Sequence, residues 1–163
     1  SIFISRWDVA VANEVPDTLR DKLGIAVAKR IYKAYYAVLA SPCWMRAYNE
    51  GARPQRLLWA STGTKDPKAS DILYIKALAA PFTVNTMPEG TLKAFANHGE
   101  VDATMPIRGS DSEEVLARSA QAGVDVDALA ARLQDEGAKS FVKSWNDLMG
   151  VIESKSAVLE KAG

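Results

Sequence analysis

The segment Ser61-Thr62-Gly63-Thr64-Lys65 brings hydroxyls, the backbone N–H groups of a turn around a permissive glycine, and one cation into a single short stretch. Hydroxyls and amides donate hydrogen bonds and an ammonium supplies charge, so the group that suits such a turn is an oxyanion, above all a phosphate. A Walker A loop is excluded, because the two-glycine spacing followed by Lys-Ser or Lys-Thr is absent. A turn rich in Ser, Thr and Gly also serves simply as a turn, so its neighbours must decide. Two more polar clusters follow apolar runs: Ser5-Arg6 after Ile2-Phe3-Ile4, and Asn85-Thr86-Met87-Pro88 after Phe82-Thr83-Val84. An arginine offers a planar fork for a phosphate, and its position at the end of an apolar run invites a strand-end site.

The elements that would position these clusters follow from the apolar pattern. Ser1 to Arg6 reads as a buried strand from the first residue, which, with no initiating methionine, predicts a chain that is part of something longer. A loop is expected over Asp8 to Pro16. Thr18-x-x-Asp21 resembles a capping box ahead of a helix over about 18 to 40, with Leu19, Leu23, Val27, Ile31, Tyr35 and Val38 on one stripe. Ser41-Pro42 would end that helix, leaving Cys43 in a loop. Arg56 to Ser61 forms the second predicted strand, Ser70 caps a short helix holding Ile72, Leu73, Ile75 and Leu78, and Phe82 to Thr86 forms the third strand. Pro88 suits the start of a further helix.

Strands that alternate with helices, without two-residue hairpin turns, predict parallel pairing with their C-terminal ends on one face. In an α/β barrel that face carries the active site, often with a phosphate site at the last strands. From about residue 110 the pattern is all helical. Ser110-x-x-Glu113 reads as a capping box, Gly123 as a terminator, and two helices are expected over about 126 to 135 and 139 to 160, the latter with Phe141, Trp145, Leu148 and Ile152 on one stripe.

Composition narrows the function classes. Twenty basic and twenty acidic residues cancel, so no overall field recruits nucleic acid or an anionic membrane. One cysteine and one histidine preclude an internal disulfide and suggest no metal cluster, which fits a cytoplasmic setting. No apolar run approaches the ~20 residues of a membrane span. Trp59 and Trp145 read as core side chains, His98 as a helix-end residue, Glu89 as a favourable charge at a helix N-terminus, and Cys43 as an incidental thiol.

Three stretches in order, Ser1-Ile-Phe-Ile-Ser-Arg6-Trp-Asp8, Gly51-Ala-Arg-Pro-Gln-Arg-Leu-Leu-Trp-Ala-Ser-Thr-Gly-Thr-Lys65-Asp-Pro67 and Thr83-Val-Asn-Thr-Met-Pro-Glu89-Gly-Thr-Leu92, closely resemble the transaldolase family of the longer bacterial type. The likeness continues through Phe141-Val-Lys-Ser-Trp145. It implies the C-terminal part of a (β/α)8 TIM barrel: the last three strand-helix units over residues 1–109, plus appended helices over residues 110–163 that pack on the same barrel domain.

The resemblance also implies roles. Transaldolases move a dihydroxyacetone unit between sugar phosphates of the pentose phosphate pathway through a lysine Schiff base, without cofactor or metal. Arg6 and Ser61 match phosphate-binding positions, and Ser1 and Phe3 match the substrate pocket. Gly63 stands about where shorter relatives carry an arginine, and Lys65, two residues later, is the candidate substitute. The Schiff-base lysine belongs to a strand outside this sequence. The chain is therefore expected to hold no catalytic residue, to be inactive alone, and to need sugar phosphates and the N-terminal part of the barrel, on the same or a separate chain, as partners. Nucleic acid and membrane are not expected partners. Two other readings stand beside this one: a non-catalytic α/β fragment or interaction module binding phosphate esters or a partner chain, and a piece of a transaldolase/glucose-6-phosphate isomerase fusion in which Lys155 to Gly163 begin a linker.

Overall fold

The computed structural model describes residues 1–101, 103–109 and 111–162; of these, the part up to Val124 is an α/β unit built on a three-stranded parallel sheet. The strands β1 (Ile2–Phe3), β2 (Leu57–Ala60) and β3 (Thr83–Asn85) lie in the order β1-β2-β3. Ile2 stands opposite Trp59, Phe3 opposite Ala60, and Leu58 opposite Val84. Successive side chains of a strand alternate between faces. Ile2 and Trp59 accordingly share the helix-covered face, and Phe3, Leu58 and Val84 share the other. The parallel pairing expected from the strand-helix alternation holds.

Seven helices are described: α1 (Ser5–Val11), α2 (Leu23–Leu39), α3 (Pro42–Asn49), α4 (Leu73–Ala77), α5 (Glu89–His98), α6 (Ser112–Gln121) and α7 (Val126–Ala162). The core lies between the sheet and its helices, where Ile4, Ala28, Tyr32, Trp59, Tyr74, Leu78 and Met105 pack together, each at most 5% exposed. The chain divides into two compact units, Ser1–Val124 and Asp125–Gly163. In the first, α6 is tied to α2 by Lys29 to Asp111 (2.5 Å) and Arg30 to Glu113 (2.6 Å).

Several local expectations are corrected. The first strand stops at Phe3, and the first four residues of the loop expected over Asp8 to Pro16 belong to helix α1, because Ile4, Ser5, Asp8 and Val11 fall at helical spacing and bury one side of it; residues 12–16 are the expected non-helical connection. Arg6 thus sits in the first turn of a helix, not in a strand. The helix expected from residue 18 begins at Leu23 instead, after a 3-10 turn over Asp17–Leu19 and a left-handed Asp21 (φ 55°) that breaks the continuity. The Thr18 capping box does not form. Of the expected stripe Leu19, Leu23 and Val27 are buried while Val38 is exposed, and Ala28 and Tyr32 extend the buried side of α2 into the core. Pro42 opens α3 rather than merely ending α2: Ser41 Oγ accepts from Trp44 N (3.2 Å) and proline occupies the first turn, where its missing N–H costs nothing. Cys43 therefore lies on a helix, where it is free and exposed.

Toward the C-terminus, Gly123 (φ 96°) does follow the end of α6, whereas Ser110 lies outside the described residues. The two helices expected after residue 126 are one continuous element of 37 residues, α7. Gly137 did not break it. An internal glycine costs only about 1 kcal/mol, which i to i+4 pairs such as Lys139–Asp135 and Lys143–Asp147 help offset. Trp145, expected in a core, is exposed on α7 with Phe141, Leu148 and Ile152.

Candidate functional site

Three of the five residues singled out in the sequence come together at the C-terminal ends of β1 and β2. The Arg6 guanidinium stacks over the Phe3 ring, 4.3 Å from its centroid, which orients the fork and leaves its edge donors free to bond elsewhere. On the adjacent strand end, Ile4 N donates to Ala60 O (2.8 Å) and Ser5 N donates to Ser61 O (3.0 Å), so backbone pairing runs two residues past β1 and one past β2. Ser61 is therefore fixed beside the residue that precedes Arg6. Its φ of 53° is left-handed, a region that a non-glycine residue enters only at a cost. Ser1 is exposed at the other end of β1. It shares the face of Phe3 by alternation, one strand repeat further from Arg6.

Lys65 lines a cavity of its own. It is exposed and lines a cavity of about 350 Å³ whose wall includes Asp8, Arg20, Asp21, Asp66 and Tyr74, and neither Arg6, Phe3 nor Ser61 lines that cavity. The division has a helical cause. Arg6 and Asp8 are two residues apart on α1, so they point to opposite sides of it. In the loop that carries Lys65, Gly63 packs closely: a side chain there would come within 3.0 Å of Pro88 Cγ, at the start of α5.

Sequence reasoning overlooked Asp8, which is 4% exposed and organises the wall of that cavity. Its carboxylate accepts from Gly24 N at 3.1 Å, capping α2 from a distance in place of the absent local cap, and from Tyr74 Oη at 2.8 Å. Only glycine fits at position 24, since a Cβ there would meet Ile4 O at 2.6 Å and Asp8 Oδ2 at 2.7 Å. Burial lifts the Asp8 carboxyl from 3.8 to about 6, against the pull of the Gly24 and Tyr74 hydrogen bonds and with a further push from Asp21. Burial and the nearby Asp8 charge raise the Tyr74 phenol as well.

This predicts a pH dependence of stability. A carboxyl whose folded value lies above its unfolded one stabilises the fold fully only below the unfolded value; stability falls as pH rises from about 4 to 6 and stays low above that. The gap corresponds to about 3 kcal/mol, at ~1.4 kcal/mol per pH unit. Asp8→Asn keeps an acceptor for Gly24 and removes the charge. Its melting temperature is expected to decline much less than the parent's between pH 4 and pH 7. A residual slope from Asp21, itself raised by burial and by Asp66, should persist. Parallel melting curves for parent and variant would show that Asp8 does not carry the effect.

Thr62 was quoted only as part of the Ser/Thr/Gly turn, yet it is fully buried. Its hydroxyl lies 2.7 Å from Asn85 Oδ1 and 3.1 Å from Thr86 O, bridging β2 to β3. His98, the last residue of α5, places Nε2 3.3 Å from Asp71 Oδ2 at the surface. Among the described residues no group of His, Cys, Asp and Glu side chains is arranged to hold a metal, and no helix is long and apolar enough to cross a membrane.

The sequence model of the Transaldolase/Fructose-6-phosphate aldolase family matches residues 1–152. The chain belongs to this family. Among its relatives, the transaldolase of Frankia alni is 43% identical over 160 residues, covering 93% of this chain and 43% of the relative. That of Neisseria meningitidis serogroup C (strain FAM18) is 42% identical over 149 residues, 91% of this chain and 42% of the relative. That of Mycolicibacterium smegmatis is 39% identical, covering 99% of this chain and 46% of the relative. The chain thus spans less than half the length of these transaldolases, and the match takes in Arg6, Phe3 and Ser61 together with most of α7.

Proposed function

We propose that these residues form the last three strand-helix units and the C-terminal helices of a transaldolase (β/α)8 barrel, and that their task is to grip the phosphate of a sugar phosphate donor or acceptor. The reaction is transfer of a dihydroxyacetone unit through a lysine Schiff base, a step of the pentose phosphate pathway. The lysine comes from a strand outside this sequence, since β1, β2 and β3 contain none. The observation that carries the reading is the Arg6 guanidinium, stacked on Phe3 next to the Ser61 strand end. A phosphate there would meet a pre-oriented fork and a serine hydroxyl at the face where α/β barrels bind phosphate. Holding a remote phosphate lets binding energy position the reacting carbons.

Lys65 lines a cavity with three aspartates that Arg6 does not line, so in this reading Arg6 supplies the main phosphate charge. Lys65 contributes at longer range.

In the complete barrel, Arg6→Ala is expected to raise KM for fructose 6-phosphate on the order of tenfold to a hundredfold, the worth of a charge-assisted hydrogen bond. The change with unphosphorylated dihydroxyacetone as donor should be far smaller. Steady-state kinetics with both donors checks this. Equal losses for the two would assign Arg6 to folding or chemistry and sink the phosphate reading.

A further inference from the structure

We infer that Thr62 is a positioning residue for phosphate binding: its buried hydroxyl locks the end of β2 to the end of β3 and thereby holds Ser61 in the left-handed conformation that sets it beside Arg6. The inference rests on the phosphate reading above.

The lock has two strands of connection. Thr62 Oγ1 reaches Asn85 Oδ1 (2.7 Å) and Thr86 O (3.1 Å), while Thr86 N and Thr86 Oγ1 both donate back to Trp59 O, at 3.0 and 3.1 Å. Residues 59 and 62 are thus both pinned to Thr86, just past β3, with Thr62 also reaching Asn85 at the strand end, and only Ala60 and Ser61 lie between the pins. On the other side, Ser61 O is held by Ser5 N at 3.0 Å. A strand pinned two residues before and one residue after a turn must make the turn within those residues, and here it does so at Ser61 with φ 53°.

Serine has no intrinsic preference for this region, unlike glycine or asparagine, so the surroundings impose it. A hydroxyl is the part of Thr62 that matters. Valine has the same shape and would fill the same space, but it would remove the single hydroxyl proton that Asn85 Oδ1 and Thr86 O share in a closed environment. Such a loss lets the β2 end relax toward an extended Ser61 and withdraws it from Arg6.

The test is kinetic and uses the complete barrel. Thr62→Val is expected to raise KM for fructose 6-phosphate about tenfold with kcat changed less than threefold, and to shift KM for dihydroxyacetone far less. Thr62→Ser restores the hydroxyl and should return KM to within about twofold of the parent. Asn85→Ala removes the partner from the other side and should reproduce the split, which guards against a Thr62→Val protein that fails to fold. Arg6→Ala is measured alongside. If Arg6→Ala discriminates the two donors but Thr62→Val and Asn85→Ala do not, the positioning role is wrong and the phosphate reading stands. If Arg6→Ala does not discriminate them, the phosphate reading itself is wrong. Failure of both lock variants to fold, with Thr62→Ser normal, would assign the hydroxyl to stability alone and overturn the proposal.

Discussion

Incubated with fructose 6-phosphate and borohydride, the 163-residue chain is expected to remain free of a reduced adduct and to show no transaldolase turnover. A lysine becomes a Schiff-base nucleophile when a desolvated pocket or cationic neighbours favour its free amine. None of the described strands carries a lysine. Lys65 and Lys68 of the loop after β2 are exposed, and Asp8, Asp21 and Asp66 share the Lys65 cavity. Lys29 is paired with Asp111 at 2.5 Å, and Lys93, Lys139 and Lys143 stand on exposed helix faces beside carboxylates. In the proposed reading the chain therefore supplies phosphate recognition, and the group that breaks the carbon–carbon bond comes from another part of the barrel. Intact mass after borohydride reduction reads this directly, with Lys65→Ala as the control for adventitious trapping. One stoichiometric adduct on the chain alone would mean that it carries its own nucleophile.

How much of this was legible beforehand depended on whether the deciding contacts are local. The runs at 56–61 and 82–86 shrink by only one residue at each end to β2 and β3, because alternation and flanking proline or glycine report on the strand itself. Pro42 misled because proline both follows one helix and opens the next, and only the Ser41 cap to Trp44 distinguishes the two. The helix α1 was hidden by a polar residue at its buried centre. Ile4, Val11 and Val15 have helical spacing, but the buried position between them is Asp8, whose partners Gly24 and Tyr74 lie 16 and 66 residues away.

The same logic divides the candidate site. Arg6 and Ser61 stand at the ends of neighbouring strands, so strand order alone brings them together. Thr62 bonds across 23 residues to Asn85, and Gly63 packs against Pro88, neither of which leaves a trace in local sequence.

On its own, the chain is expected to self-associate and to lack a rigid core, and to become monodisperse when the preceding part of a family transaldolase is supplied. The reason lies in the sheet. Among the described residues, β1 and β3 each pair only with β2, so each leaves one edge of unpaired N–H and C=O groups, which template further strand addition. The face opposite the helices carries Phe3, Leu58 and Val84, partly exposed where a closed barrel would bury them. Separately, α7 presents Phe141, Trp145, Leu148 and Ile152 to solvent along a single stripe, with Met149 and Val151 widening it beyond a narrow coiled-coil seam toward the face of a helix meant for a globular body. At ~25 cal/mol per Å², wetting several such side chains forfeits on the order of 5–10 kcal/mol, comparable to the net stability of an ordinary domain. No local interaction described above is large enough to make up that deficit: the exposed ion pairs contribute at most about 1 kcal/mol each. Sedimentation velocity and near-UV circular dichroism of the isolated chain, with and without the complementing segment, measure the two halves of the expectation. A compact monomer with a rigid aromatic spectrum and a sharp melting transition would show that the three units close their own core, and the barrel reading of the sheet would have to be abandoned.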